Sequence, residues 1–182
     1  MPAGPEKADG AHITWSFGNG AARKGGAGKA LARACAAVAL GALVVGCGGA
    51  VDVSPPHPSA AAKRACHALS SKLPQKVAGE SHAETSPKNA LTAAWGSPPI
   101  TLRCGVGLPD AYSPTAQLFT VNGVDWLPAP QGANPPTRFY VMGRRAYVEL
   151  VVPKEHSPAA NALVDLAHAI KAADPKDPSA KP

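Results

Sequence analysis

Apolar residues in this chain recur at helical spacing near the start and end of its central stretch and alternate singly between. Ala62, Cys66, Leu69 and Leu73 repeat at intervals of three and four. That spacing predicts a helix over Ser59 to Lys72, with Cys66 on its buried face and Pro74 as its stop. Glu80 to Lys88 is polar and reads as loop. Ile100, Leu102, Cys104 and Val106 then alternate with Thr101 and Arg103, the period of a half-buried strand, which also turns Cys104 toward the core. Leu118–Val121 and Val124–Leu127 flank Asn122-Gly123, the pair that a type I′ hairpin turn demands.

A second hairpin is expected from Arg138–Met142 and Arg145–Val152, joined at Gly143-Arg144 by a type II′ turn. That turn sets Val141 opposite Ala146, Tyr140 opposite Tyr147, Phe139 opposite Val148 and Arg138 opposite Glu149. Phe139, Val141, Ala146, Val148 and Leu150 then share an apolar face, with Arg138, Tyr140, Tyr147 and Glu149 on the other. A last helix has Ser157 as N-cap, Pro158 at N1, a stripe of Leu163, Leu166, Ala167 and Ile170, and a stop at Asp174-Pro175. Helix, antiparallel strands, helix is the order of an α+β domain. We expect a two-layer sandwich, with the helices on one sheet face and the Tyr140/Tyr147 face partly open.

Upstream, Ala34 to Val45 is an uninterrupted apolar run preceded by Arg23, Lys24, Lys29 and Arg33. Basic stretch, short apolar core and small-residue processing site together form an export signal. As a helix the core would span roughly 18 Å at ~1.5 Å per residue, short of the ~30 Å hydrocarbon layer. It closes on Val44-Val45-Gly46-Cys47, which resembles a bacterial lipobox. The resemblance implies that Cys47 carries a diacylglyceryl thioether and becomes the mature N-terminus, holding the protein on the outer face of the cytoplasmic membrane. Two acyl chains suffice for stable attachment where one does not. The expected organisation is a signal peptide over 1–46, lipidated Cys47 and a Gly/Ser/Pro-rich tether over 47–58, a globular domain over 59–173 and a disordered tail over 174–182.

Cys35 falls in the leader and Cys47 carries lipid, which leaves Cys66 and Cys104. Export permits a disulfide between them. A metal site or a reactive thiol are the rivals, and neither cysteine has the close His or Cys partner that zinc sites use. The net charge is +6, half of it in the leader, so +3 remains on the mature chain. That is too mild to argue for nucleic acid.

Ala93-Ala94-Trp95-Gly96, Ile100-Thr101-Leu102-Arg103-Cys104-Gly105, Val121-Asn122-Gly123-Val124-Asp125-Trp126-Leu127 and Ala146-Tyr147-Val148-Glu149 before Val152-Pro153 follow in order. This series resembles an uncharacterised family of actinobacterial secreted lipoproteins, known as domain of unknown function 3515. Cys66 matches the family's cysteine in the first helix. The resemblance implies no particular activity.

Asp125-Trp126 beside the Asn122-Gly123 turn is a candidate recognition element, because an indole at a hairpin can stack on sugars or peptides. The ordinary alternative is that Trp126 packs in the core. Arg103 and Arg138, with Arg144 and Arg145, could form a basic surface for carboxylates or phosphates, or plain solvated charge. With Tyr140 and Tyr147 of the open face, the candidate ligand-binding set is Arg103, Asp125, Trp126, Arg138, Tyr140 and Tyr147. The histidines are scattered, with no HExxH, and there is no GxSxG elbow or SxxK motif. We expect no catalytic residue, metal or cofactor. The reading is a lipid-anchored envelope protein acting as a non-enzymatic binding or accessory module. Its partners would be the membrane, through the lipid, and a wall component or membrane protein, but not nucleic acid. The alternative is a small cell-wall-directed hydrolase or transferase.

Overall fold

The computed structural model describes residues 49–135 and 137–182. The leader and Cys47 lie outside the described residues. Among those described, ten strands and two α-helices follow in order: β1 (Val51–Asp52), α1 (Ala60–Ser70), β2 (Lys76–Val77), β3 (Glu80–Ala83), β4 (Thr85–Ser86), β5 (Thr92–Trp95), β6 (Ile100–Val106), β7 (Phe119–Val121), β8 (Val124–Ala129), β9 (Arg138–Met142), β10 (Tyr147–Val151) and α2 (Ala160–Ala173). Eight strands form one sheet in the order β2-β3-β5-β6-β10-β9-β8-β7, antiparallel at every step. The described residues form a small α+β domain, mostly antiparallel sheet with two helices.

Helix α1 starts where the Ser59 hydroxyl accepts the Ala62 amide at 3.3 Å, satisfying one of the donors that a helix start leaves free. It buries Ala62, Ala65, Cys66 and Leu69. α2 buries the expected Leu163, Leu166, Ala167 and Ile170, with Ala162, Ala169 and Ala173 beside them. These side chains share one core with Trp95, Ile100, Leu102, Cys104, Trp126, Phe139, Val141, Val148 and Leu150. Cys66 and Cys104 are disulfide-bonded across that core, tying α1 to β6. The first hairpin matches its expectation: Asn122 and Gly123 sit at φ 48° and 79°, both in the region that type I′ requires.

The second hairpin keeps its faces but not its register. Val148 pairs with Val141, Glu149 with Tyr140 and Leu150 with Phe139, two residues from the expected alignment. Burying Phe139, Val141, Val148 and Leu150 is worth roughly 1.5–3 kcal/mol each, so a slip of one residue would forfeit on the order of 6–12 kcal/mol. A slip of two keeps every one of them inside, and the pattern cannot distinguish it. The turn decides instead. Gly143 to Ala146 is a four-residue loop whose amides bond to the C-terminal segment rather than across the hairpin. Gly143 N–H donates to Lys181 O at 2.8 Å and Arg145 N–H to Pro175 O at 3.4 Å. Ala146 N–H donates to the Asp174 carboxylate at 3.2 Å.

The segment 174–182, expected to fray, therefore lies along this loop. Asp174 is 0% and Arg144 4% exposed. The Arg144 guanidinium donates to the carbonyls of Asp174 and, at 3.0 Å, Gly123. The expected tether also differs from its reading. β1 pairs in parallel with β4, Val53 and Pro56 are buried, and the Arg103 Nε–H donates to Ser54 O at 2.9 Å. Gly/Pro content suggested flexibility, but the alternation of Val51, Asp52 and Val53 is a strand signal. Two smaller corrections follow from local bonding. Ser157 ends a 3-10 turn over Lys154–His156, so α2 begins at Ala160 without a side-chain cap. Polar Glu80–Ala83 is a strand held by pairing with β2 and β5.

Two outcomes test this packing. The bond between Cys66 and Cys104 spans 38 residues of sequence. Chain entropy assigns it about 4 kcal/mol, and reduction, or Cys66→Ala with Cys104→Ala, should lower unfolding stability by about that amount. Burial raises the pKa of Asp174 to about 6 from 3.8, against the lowering effects of the Ala146 amide and Arg144. The folded state thus holds this proton more tightly than the unfolded chain does. Its contribution is full below pH 3.8 and is lost as pH rises through about 6. Between pH 4 and pH 7, urea unfolding should show a wild-type loss of stability about 2 kcal/mol larger than that of Asp174→Asn.

Candidate functional site

The strands that carry the core on one face place a row of polar side chains on the other. Arg103 on β6, Glu149 on β10 and Tyr140 on β9 are direct cross-strand neighbours. Alternation puts them opposite Leu102, Leu150 and Phe139, so the same pattern that buries those three projects these outward. Glu149 is the hub and is only 7% exposed. Its carboxylate accepts from the Arg103 guanidinium at 3.1 Å and from the Tyr140 hydroxyl at 2.9 Å, and Arg138 stands 3.8 Å away. A buried carboxylate needs such partners, because stripping it of water without them costs several kcal/mol. Burial raises the Tyr140 pKa, and the Glu149 carboxylate adds to the shift by disfavouring a second negative charge.

Arg103, Tyr140 and Glu149 of this cluster floor an open cleft of ≈ 370 Å³. Its walls come from the docked segment at Pro55, Pro56 and His57 and from the loop after β6 at Val106 to Asp110. Among the described residues no three His, Cys, Asp or Glu side chains stand close enough to hold a metal ion, and no helix is long and apolar enough to cross a membrane.

Of the six residues read from the sequence, Arg103, Arg138 and Tyr140 meet around Glu149. Asp125 and Tyr147 belong elsewhere. The Asp125 carboxylate accepts from Thr120 at 2.7 Å and stands 3.7 Å from Lys176, and the Tyr147 hydroxyl accepts the Lys181 amide at 3.2 Å. Trp126 corrects its candidate role. It is 0% exposed, packed in the core, and has no ring face for a ligand to stack on. Glu149 stood on the outer face opposite Arg138 in the reading from sequence. His57 and Asp110 were not in the candidate set and reach the cleft from the segment read as tether and from the loop after β6.

A family model described as a protein of unknown function (DUF3515) matches residues 30–179. The chain belongs to the DUF3515 family. No curated protein and no solved structure matches it. Within this DUF3515 domain the cleft geometry therefore has to speak for itself. Each Glu149 oxygen already has a partner, which makes the carboxylate a structural hub and leaves the phenol ring and the cleft walls to meet a ligand. Spectrophotometric titration of the three tyrosines should find Tyr140 ionising above the ordinary value near 10. Glu149→Gln should bring that transition down. An unmoved transition would show that the carboxylate does not face the phenol.

Proposed function

We propose that this DUF3515 protein is an exported, lipid-anchored module of the cell envelope that binds a membrane-proximal partner rather than catalysing a reaction. The fold is read here as a two-layer sandwich, helices over one sheet face and the cleft on the other. Export is supported by the Cys66–Cys104 disulfide, a bond typical of oxidising compartments. The lipobox-like Val44-Val45-Gly46-Cys47 supports lipid attachment. The observation that carries the binding reading is the cleft floor: its one buried carboxylate is held by Arg103 and Tyr140, so neither of its oxygens is free for acid or base work.

The docked segment narrows the choice of partner. With β1 starting at Val51, only Gly48, Gly49 and Ala50 separate it from Cys47. Four Cα–Cα steps of about 3.8 Å reach about 15 Å at most. A domain on so short a leash stays near the bilayer, which favours a membrane-resident partner over a wall polymer standing off it. The hydrolase or transferase alternative has one point in its favour, that His57, Asp110 and Glu149 line the same cleft. Turnover of wall material lost in Asp110→Asn would establish it.

Intact-mass analysis from the native host should find a chain that begins at Cys47 and carries added lipid. From the same membranes, wild-type protein should co-purify with a partner that Leu108→Asp, a change at an exposed residue of the cleft wall, loses. A chain starting upstream without lipid mass overturns the anchoring. Equal recovery by both forms overturns the cleft as the binding site.

A further inference from the structure

A second cavity, of ≈ 580 Å³, shares no lining residue with the cleft. It lies between the start of α1, the loop joining β9 to β10, and the C-terminal segment. Its charged lining is Arg64, Arg145 and Asp177. We propose that Arg64 and Arg145 form a binding site here for a phosphate-bearing anion.

Three observations carry this. First, the two arginines come from elements far apart in sequence and line one concave surface. Second, among the described residues neither has a carboxylate within 4.0 Å, whereas Arg103 and Arg138 are both paired with Glu149. An unpaired arginine keeps its planar fork of donors for an incoming oxyanion, and two forks match the several oxygens of a phosphate. Third, the loop that presents Arg145 is fixed. Arg144 before it is buried, the Arg145 amide is bonded to Pro175, and the Ala146 amide after it is held by Asp174. Arg145 thus projects from a rigid base, and less freedom is lost when it engages a ligand.

Asp177 opposes an anion, and it supplies a sign test. Its carboxylate is held by the amide and hydroxyl of Ser179 at 2.9 and 2.6 Å. It therefore trims the field of the arginines without cancelling it. Removing its charge should tighten anion binding, while removing either arginine should weaken it.

The full-length protein in neutral detergent can be titrated with inorganic phosphate, followed by amide shifts at Arg64 and Arg145. Parallel titrations would use short-chain phosphatidylglycerol and short-chain phosphatidylcholine. Saturable binding is expected, weakened roughly tenfold or more in Arg64→Gln and in Arg145→Gln, as loss of a charged hydrogen bond implies. Asp177→Asn should bind more tightly than wild type. Both arginines are exposed, so unchanged thermal unfolding of the variants would exclude misfolding. Tighter binding of phosphatidylglycerol than of inorganic phosphate supports a lipid headgroup as the source, and equal binding supports a free phosphate. Absent saturation with all three probes, or equal binding by wild type and the double arginine variant, would overturn the site. None of these outcomes depends on whether Cys47 is acylated.

Discussion

The covalent bond from Cys104 to Cys66 is the constraint around which the rest of this domain is arranged. It fixes α1 against β6 in the middle of the core, and the residues on either side of Cys104 exploit that fixed point. Arg103 reaches both the Ser54 carbonyl and Glu149, joining the N-terminal segment and β10 to the same strand. Gly105 sits at φ 89°, where β6 bulges against β10, between the pairs Val148↔Cys104 and Tyr147↔Val106. A Cβ there would lie 2.5 Å from Pro58. Glycine is therefore required twice, by the backbone conformation and by the close approach of the segment that leads into α1. Three consecutive residues thus set the helix, the docked segment and the polar cluster.

A second organising feature is the burial of charge at the other end of the sheet. Arg144 and Asp174 are both almost inaccessible, and they hold the chain ends of the β9–β10 loop and α2 together largely through backbone groups. Such an arrangement is costly unless its donors and acceptors are matched. Here the guanidinium serves the Asp174 and Gly123 carbonyls while the carboxylate serves the Ala146 amide. The Arg144 Nε and the Trp126 indole nitrogen stay without partners among the described residues, so the match is incomplete.

What the sequence revealed and what it hid divide along the range of the interactions. The bounds of β6, the Asn122-Gly123 turn and the apolar faces of both helices follow from residues within a few positions of one another. The register of β9 on β10, the order in 174–182 and the docking of 51–58 each depend on partners tens of residues away. Proline and glycine in those segments signal the absence of a helix, which is correct, and say nothing of whether the segment finds a groove. The candidate site shows the same division. Arg103 and Tyr140 share the outer face by alternation alone, but Glu149 became their common partner only through the two-residue register shift. Trp126 looked available because the turn beside it is exposed, yet alternation from Val124 places its ring inward.

The two arginine pairs are in physically different situations. Arg103 is 33% and Arg138 52% exposed, and both face a carboxylate that sits at 9%. Their charge is substantially spent on pairing with Glu149, so the cleft over Arg103 offers shape, an aromatic ring and residual polarity more than net attraction. Arg64 and Arg145 form no such ion pair, although the field of Arg145 also reaches Asp174 and Asp177. A ligand carrying a strong negative charge would gain little by displacing Arg103 from Glu149, because it would strip the buried carboxylate of its nearest cation. It would lose nothing of the kind at Arg64 and Arg145. The difference in cost means that the two concavities would suit different chemistries, and the segment from Pro55 to Ser59 contributes lining residues to both.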